Sequence, residues 1–425
     1  MCQASVIVRC YARVVKRIKR VRLYPTPRHE RALGFMLDVT RELYNALLQE
    51  RRDAYRLRAV RVTAKEQYAE ITALRQPWGR IDRRLGVVYR EAEDAVLHRL
   101  DLAFAAFFRR CKRGEIPGFP RFKPAHRWNQ IEFPHGNRAL IFDGRQCRVT
   151  VPGVGAVRLR KGRVVPAFGR AWLVRRNGRW YGCFECERAV HPLAPRATIL
   201  GIDRGVHVLA ALSDGTLIAN RGIGEQRRAA TARLQRELER CTQRDAAGRV
   251  RNARDAGRQG AVRRLARAKE REGNARRDRA HKVARAIVDG AGVFALEQLN
   301  LRGMTRSAKG SLERPGRNVA AKRGLNRRLL DAGFGLLRQL IVEKAEEAAR
   351  TVVEVDARFS SQECSRCGQV ASESRRRRRF ICVACGYRSH ADVNAALVIR
   401  GRAHLALMSE LYPAEDAGRR AGRVA

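Results

Sequence analysis

Residues 16–24 (KRIKRVRLY) alternate basic and apolar side chains, the period of a strand with one charged face. From Thr26 the period lengthens, and Leu33, Leu37, Leu43, Tyr44, Leu47 and Leu48 keep helical spacing. Thr26 offers a hydroxyl as N-cap, and Pro27 brings the fixed φ that suits a first helical position. Helical spacing runs on to about Arg110, with a break expected near Pro77 and Gly79. Within it, Ala92, Ala95, Val96, Leu100, Ala103, Phe104 and Phe107 form an apolar stripe expected to pack. Two prolines and two glycines in 114–123 (GEIPGFPRFK) end the helices. Short alternating runs follow at 130–133, 139–142, 147–151, 156–159, 171–175 and 180–186. Turn pairs such as Asp143-Gly144 and Asn177-Gly178 separate them. This is the pattern of an antiparallel β module, a small barrel completed by the strand near Arg20.

A proline-marked linker at 191–195 leads to a different regime. Residues 198–219 (TILGIDRGVHVLAALSDGTLIA) predict strand, strand, an Asp214-Gly215 turn and a third strand. Residues 225–285 are arginine-rich with Ala and Leu at helical spacing, predicting one or two long helices. Residues 291–300 (AGVFALEQLN) predict another short buried strand. A Gly/Ser/Arg loop without periodicity follows at 302–323, then an amphipathic helix at 325–350 and a strand at 351–355 (TVVEV).

Charge changes this picture from a fold to a partner. The 425 residues hold 89 Lys+Arg against 42 Asp+Glu, a formal net charge of +47, and 45% are hydrophobic. Enough apolar residues remain for real cores, two to four domains by length, so this is no disordered basic tail. The counter-charge for such a chain is a polyanion. A membrane is the competing partner, but basic residues occur in every segment and no apolar run reaches about 18 residues. The basic N-terminus lacks the apolar stretch and cleavage site of a secretion signal. Phe119, Phe122 and Trp128 lie among Arg121, Lys123 and Arg127, a mixture that suits base stacking with phosphate contact or, equally, an aromatic core cluster with solvated charges.

Eleven cysteines divide into four with a pattern and seven without. Cys364-x-x-Cys367 and Cys382-x-x-Cys385, each followed by glycine, are thiolate hooks at the spacing that surrounds one tetrahedral zinc. Gly368 and Gly386 allow the tight turn each hook needs. Cys2, Cys10, Cys111, Cys147, Cys183, Cys186 and Cys241 are scattered, which suits a reducing compartment such as the cytoplasm. Cys183 and Cys186 sit three apart on an expected strand and so point to opposite faces.

Three acids carry the candidate chemistry. Asp203 ends an apolar strand, between Gly201 and Gly205, where glycines let a ligand approach. Glu297 stands at the carboxyl end of a second strand, and Asp392 in the first turn of a helix behind the second hook. An acid at a buried strand end is costly unless a metal or hydrogen bond satisfies it. The order strand hairpin, helix, strand, helix, strand, helix, with acids at those points, is that of an RNase H-like nuclease core. Three carboxylates converging there can hold two Mg²⁺ about 4 Å apart, one activating water and one stabilising the leaving oxygen. The Arg375–Arg379 run (Arg375, Arg376, Arg377, Arg378, Arg379) between the hooks would suit phosphate contacts, as would Arg121 and Lys123.

These motifs resemble those of TnpB proteins, transposon-encoded RNA-guided DNA nucleases, and of the compact type V CRISPR effectors related to them. The likeness lies in GIDRG around Asp203, ALEQLNLRGM around Glu297, FSSQECSRCG, ADVNAA around Asp392, RLYPTP, GFPRFK, His281-Lys282 and LNRRLLDAGFG, and so covers nearly the whole chain. The resemblance implies a multidomain α+β protein with a RuvC nuclease core and an inserted zinc ribbon, preceded by a split wedge β-barrel and a helical recognition module. The expected divisions are 1–26 (first wedge strands), 27–112 (helical module), 113–195 (rest of the wedge) and 196–360 (RuvC core, with the basic helices at 225–285). After these come 361–388 (target-nucleic-acid-binding zinc ribbon), 389–410 (last RuvC helix) and 411–425 (basic tail). It implies Asp203, Glu297 and Asp392 as magnesium ligands, with manganese as a substitute. One structural zinc, a guide RNA and target double-stranded DNA recognised beside a short duplex motif complete the set. Many members carry Asp-Arg-Asp where this chain has His390-Ala391-Asp392. A guided binder without cleavage, or a non-catalytic zinc-ribbon RNA-binding or transposition accessory protein, would leave the three acids unexplained.

Overall fold

The computed structural model describes residues 4–8, 14–75, 88–162, 164–222, 224–310 and 314–411. Cys2, Cys10, the break at Pro77 and Gly79, and the tail beyond Leu411 lie outside the described residues. The chain divides into two units, one of residues 16–188 and one of 1–15 with 189–425. The first strand, β1 (Ala4–Val8), pairs antiparallel with Thr351–Asp356 in the second unit. It therefore does not open the β module, as the division at 1–26 supposed. Its run ASVIV is uncharged, unlike the alternating basic strand that follows, and suits a sheet covered on both faces.

In the unit of residues 16–188, β2 (Val14–Tyr24) leads into α1 (Pro27–Arg58). The Thr26 hydroxyl accepts the His29 N–H, and His29 Nδ1 accepts the Thr26 N–H. The helix stops at Ala59, whose φ of 53° is left-handed, and α2 (Ala64–Leu74) restarts on a second capping box, Thr63 with Glu66. Periodicity alone does not show this break. After α3 (Arg90–Lys112) come β3 (Gln130–Phe133), the helical turn α4 (Gly136–Ala139), β4 (Ile141–Asp143), β5 (Arg148–Val151), β6 (Gly155–Leu159), β7 (Phe168–Arg176) and β8 (Arg179–Ala189). The strand expected at 139–142 starts only at Ile141. Gly136, in the preceding turn, lies so close to β7 that a Cβ there would stand 2.6 Å from Ala171 Cβ. The seven strands follow the order β3-β7-β8-β2-β6-β5-β4. Asn177 and Gly178 both have positive φ, 51° and 70°, as a two-residue hairpin demands.

One core joins α1 and α3 to this sheet through Leu33, Met36, Leu100, Ile131, Val149, Leu173 and Phe184. Trp128 belongs to it: it is 3% exposed, its Nε1–H donates to Thr40 Oγ1 at 3.0 Å, and its ring lies 5.2 Å from that of Tyr44. Phe119 and Phe122 stay exposed, so the aromatic cluster of the sequence splits between core and surface. On β8, Cys183 is half-buried and Cys186 buried on alternate faces, which excludes a shared metal.

In the second unit, β9 (Ile199–Asp203), β10 (Val208–Leu212) and β11 (Leu217–Ala219) form an antiparallel meander. The arginine-rich stretch folds as two helices packed on each other, α5 (Glu225–Arg240) and α6 (Ala256–Gly290). Then come β12 (Val293–Gln298), the short α7 (Leu301–Met304), α8 (Val319–Ala332), α9 (Phe334–Glu347) and β13 (Thr351–Asp356). The single helix expected at 325–350 is thus two helices starting at Val319, split where Gly333 adopts φ 69°. The small strands β14 (Arg375–Arg376), β15 (Arg379–Ile381) and β16 (Arg388–His390) precede α10 (Ala391–Leu411). The main sheet has the order β1-β13-β12-β9-β10-β11, with β12 parallel to both β9 and β13.

Strand alternation sorts this sheet into two faces. Phe294, Leu296 and Val352 pack with Ile287, Val288, Leu337 and Ile341 of α6 and α9. Ala295, Val353 and Val355 pack with Ile399 and Ala403 of α10 on the opposite face. Gly201 sets how close α10 comes. A Cβ there would stand 2.0 Å from the Ala396 carbonyl oxygen and 2.8 Å from the Arg400 nitrogen. The glycine admits a helix backbone, not the ligand its position beside Asp203 suggested.

Gly201→Ala should destabilise the protein by about 3 kcal/mol, the upper range for forced overpacking. Gly401→Ala, at an exposed site in α10 with nothing within 4 Å, should stabilise it by about 0.5–1 kcal/mol. Urea midpoints of the two variants check both signs.

Candidate functional site

Two clusters meet at the start of α10. In the first, the Gly368 N–H donates to the Cys364 carbonyl at 2.9 Å and the Gly386 N–H to the Cys382 carbonyl at 3.0 Å. Both glycines have positive φ, 75° and 70°, the conformation that closes each hook. The four sulfurs of Cys364, Cys367, Cys382 and Cys385 lie within 4.8 Å of one another. Cys364 and Cys385 are 3.7 Å apart and Cys367 and Cys382 3.6 Å. Ligands about 2.3 Å from a tetrahedral zinc stand roughly 3.8 Å from each other, so the donor set fits that ion. The Cys385 N–H pulls the Cys382 thiol down to about 6. The Gln369 N–H favours a thiolate at Cys367 as well, but the neighbouring sulfurs outweigh it and push that thiol up to about 12. Proton sharing of this kind is what four close thiols do until a cation replaces the protons.

The second cluster is acidic. Asp203 is the last residue of β9, and the parallel register pairs Gly201 with Ala295 and Ile202 with Leu296. One step further, Asp203 and Glu297 leave adjacent strands side by side on the face that α10 covers. Asp392 occupies the second position of α10. The structure therefore brings together the three acids singled out in the sequence. Burial pushes the Asp203 carboxyl up to about 8, helped by the charges of Glu297 and Asp392 and opposed by Arg375 and Arg204. Burial raises Glu297 too, against the pull of Arg204. Carboxylates that resist ionising together for want of positive charge form a donor set of the kind hard divalent cations satisfy.

Four further residues hold this arrangement, and sequence reasoning passed over all of them but His390. Arg204, 4% exposed, donates from Nη2 to the Glu297 carbonyl, from Nη1 to the Phe334 carbonyl at 3.4 Å and from its backbone N–H to Glu297 Oε1 at 3.4 Å. Asn394, fully buried, accepts the Ser365 N–H at 3.0 Å and donates to the Glu363 carbonyl at 2.7 Å, tying α10 to the first hook. Arg402 donates to the Asp356 carbonyl at 2.6 Å and pairs with Glu363. His390 Nδ1 accepts the Asp392 N–H at 3.3 Å, so this side chain caps the helix. Of these, Arg204 and Asn394 carried a signal: a cation and an amide interrupting apolar segments beside an acid.

The basic candidates fare differently from one another. Arg375 is not free for phosphate, because its Nη2 donates to Asp392 Oδ1 at 2.8 Å. Arg376, Arg377, Arg378 and Arg379 are exposed around the β14–β15 hairpin. In the other unit, Asn45 clamps the Lys123 backbone with bonds of 2.8 and 3.1 Å, and the Lys123 ammonium lies 5.6 Å from the Tyr44 ring centre. Burial, then Arg99 and Arg127, lower its pKa. Arg121 is exposed.

Three family models match the chain. One described as "Cas12f1-like, TNB domain" spans residues 334–399, one described as "Probable transposase" spans 183–308, and one described as "Helix-turn-helix domain" spans 15–59. Over the last span the structure has β2 and the single helix α1. The chain is 34% identical over 314 residues to "Putative RNA-guided DNA endonuclease InsQ" of Escherichia coli, covering 73% of this chain and 74% of that one. It is 27% identical over 415 residues to "Putative RNA-guided DNA endonuclease" of Streptomyces pristinaespiralis, covering 95% and 94%. It is 48% identical over 61 residues to "CRISPR-associated endodeoxyribonuclease Cas12f1" of Sulfoacidibacillus thermotolerans, 14% of each chain.

Asp203 titrates far above its ordinary 3.8, so between about pH 4 and about pH 8 the folded protein holds a proton that the unfolded chain has lost. Stability without added divalent cation should therefore fall across that window and level off above it. Asp203→Asn should melt higher than the native protein at the alkaline end, with the gap closing toward the acid end; melts of both across the range check this. Zinc analysis should find about one ion per chain. Stripping it should speed hydrogen exchange across 363–394 while β9 and β12 stay protected.

Proposed function

Because the chain belongs to the TnpB family of RNA-guided DNA endonucleases, we propose that it cuts guide-matched DNA beside a short duplex motif, through one site formed by Asp203, Glu297 and Asp392. The observation that carries this reading is the convergence of three acids, from two parallel strand ends and a helix start, on one face of the sheet. The meander β9-β10-β11 followed by parallel β12 and β13 supports an RNase H-like, RuvC-type core. The seven-stranded sheet and helices α1–α3 support the wedge and recognition roles of residues 16–188. A net charge of +47 suits a guide RNA and target double-stranded DNA as partners. Among the described residues no helix is long and apolar enough to cross a membrane.

The three carboxylates would hold two divalent cations, magnesium by the hardness of the donors, with manganese as a substitute. When bound, these would supply an activated water and charge neutralisation at the leaving 3′ oxygen. The chain's own part is positional. Arg204 fixes Glu297 through that residue's carbonyl and carboxylate, and the four-cysteine knuckle, as a structural zinc site, fixes Asp392 through Asn394. The guanidinium of Arg375 holds the Asp392 carboxylate. Exposed Arg376–Arg379 would meet phosphate.

Asp203→Ala, Glu297→Gln and Asp392→Asn should each abolish cleavage of a matched duplex while the protein still copurifies with a discrete RNA. Sequencing that RNA names the target to test. Full cleavage by Asp203→Ala would overturn the site, and a smear of ribosomal and transfer RNA in place of one species would overturn the guided reading.

A further inference from the structure

A concavity of about 1100 Å³ opens in the unit of residues 16–188, where the ends of α1 and α3 and the loop after α3 come together. This exceeds the roughly 300–1,000 Å³ of an ordinary small-molecule site. Its floor is aromatic. Phe119 stands edge-on to Phe104 and Phe107, with ring centres at 5.6 and 5.4 Å, and the Arg51 guanidinium lies 5.3 Å from the Phe104 ring. Four further or shared rings reach solvent: Tyr55 is 70% exposed, Phe108 48%, Phe119 44% and Phe122 40%. Five arginines line the space (Arg51, Arg52, Arg56, Arg61 and Arg121) against one carboxylate, Asp101, which Arg51 already holds at 2.7 Å.

Arg56 lies 3.7 Å from Asp53, so the hollow keeps an excess of cations over carboxylates, and flat apolar faces set among such an excess match one ligand chemistry: a planar base flanked by phosphates. A second copy of this chain would bring the same arginines against these, and a flat membrane surface would not enter the hollow. We propose that this concavity is a docking site for unpaired nucleotides, whose bases stack on Tyr55, Phe108, Phe119 and Phe122 while Arg52, Arg56, Arg61 and Arg121 hold the phosphates. The proposal rests on the nucleic-acid reading of the chain and adds a single-strand site remote in sequence from the three acids. Guide RNA and displaced DNA strand share this chemistry.

The test compares a labelled oligouridine, its deoxy counterpart and an abasic strand of equal length and charge, by fluorescence anisotropy with the full-length protein and no divalent cation. The native protein should bind at least one base-bearing strand about 5-fold to 100-fold more tightly than the abasic strand for each base stacked. Phe119→Ala with Phe122→Ala should bring that ratio close to one, and so should Tyr55→Ala in part, whose exposed ring the fold does not need. Arg56→Gln with Arg61→Gln should weaken all three strands alike and flatten the salt dependence. On the native protein, strands carrying 5-iodouridine or 5-iododeoxyuridine should photo-cross-link to peptides spanning 104–108 or 115–122. The strand that does so identifies RNA or DNA as the source. A native ratio near one, or a ratio the aromatic variants leave unchanged, or cross-links confined to other peptides, would overturn the proposal. Neither readout uses a guide or a cleavage step, so failure here leaves the site at Asp203 standing, and failure there leaves this one testable.

Discussion

The larger unit depends on helix α10 lying directly on β9, backbone against backbone. Glycine at position 201 makes that contact possible, and the packing of Ile399 and Ala403 on Ala295, Val353 and Val355 continues it along the sheet. Once the helix axis is fixed, its first turn has no freedom. Asn394 is then buried against the first cysteine hook, and Asp392 stands over the ends of β9 and β12. A four-thiol knuckle immediately ahead of the helix is therefore no appendage. It terminates the element that carries the third acid, and the coordination of a metal there would be felt as rigidity at Asp392.

Bringing three carboxylates to one buried face is unfavourable in the metal-free protein: burial, with the charges of Glu297 and Asp392, pushes the Asp203 carboxyl up to about 8. Some of this cost is offset locally by two cations of different kinds. Arg204, deep in the unit, spends its donors on main-chain carbonyls of Glu297 and Phe334. Arg375, half-buried in the ribbon, pairs with the Asp392 side chain itself.

The positive charge of the chain is not one property. Part of it is structural: Arg51 pairs with Asp101, Arg338 with Glu354, Arg402 with Glu363, and Arg350 reaches the Ala194 carbonyl at 2.8 Å. Part is surface charge on α5, α6 and the β14–β15 hairpin, and part rims the aromatic hollow beside α1 and α3. Composition reports only the sum, and a sum of this size predicts a polyanion without saying where it lies.

Local chemistry determined much of this protein by itself. Period-2 runs at 130–133 and 147–151, the apolar strand ending at Asp203, the Thr26-Pro27 cap, the Asn177-Gly178 turn and the paired cysteine hooks depend on neighbours within a few residues, so they were legible, as were the three acids. What lay beyond the sequence was set by partners far away in it. Whether ASVIV near the start joins one sheet or the other is decided by β13, some 350 residues on. Trp128 is core rather than stacking surface because Thr40 and Tyr44 on α1 receive it. Gly201 serves a helix and not a ligand because Ala396 lies over it. Arg375 meets a carboxylate and not a phosphate because the hairpin folds its first strand toward α10. In each case a side chain's type fixed what it can do, and only the tertiary fold, by choosing which group stands opposite, decided which of those things it does.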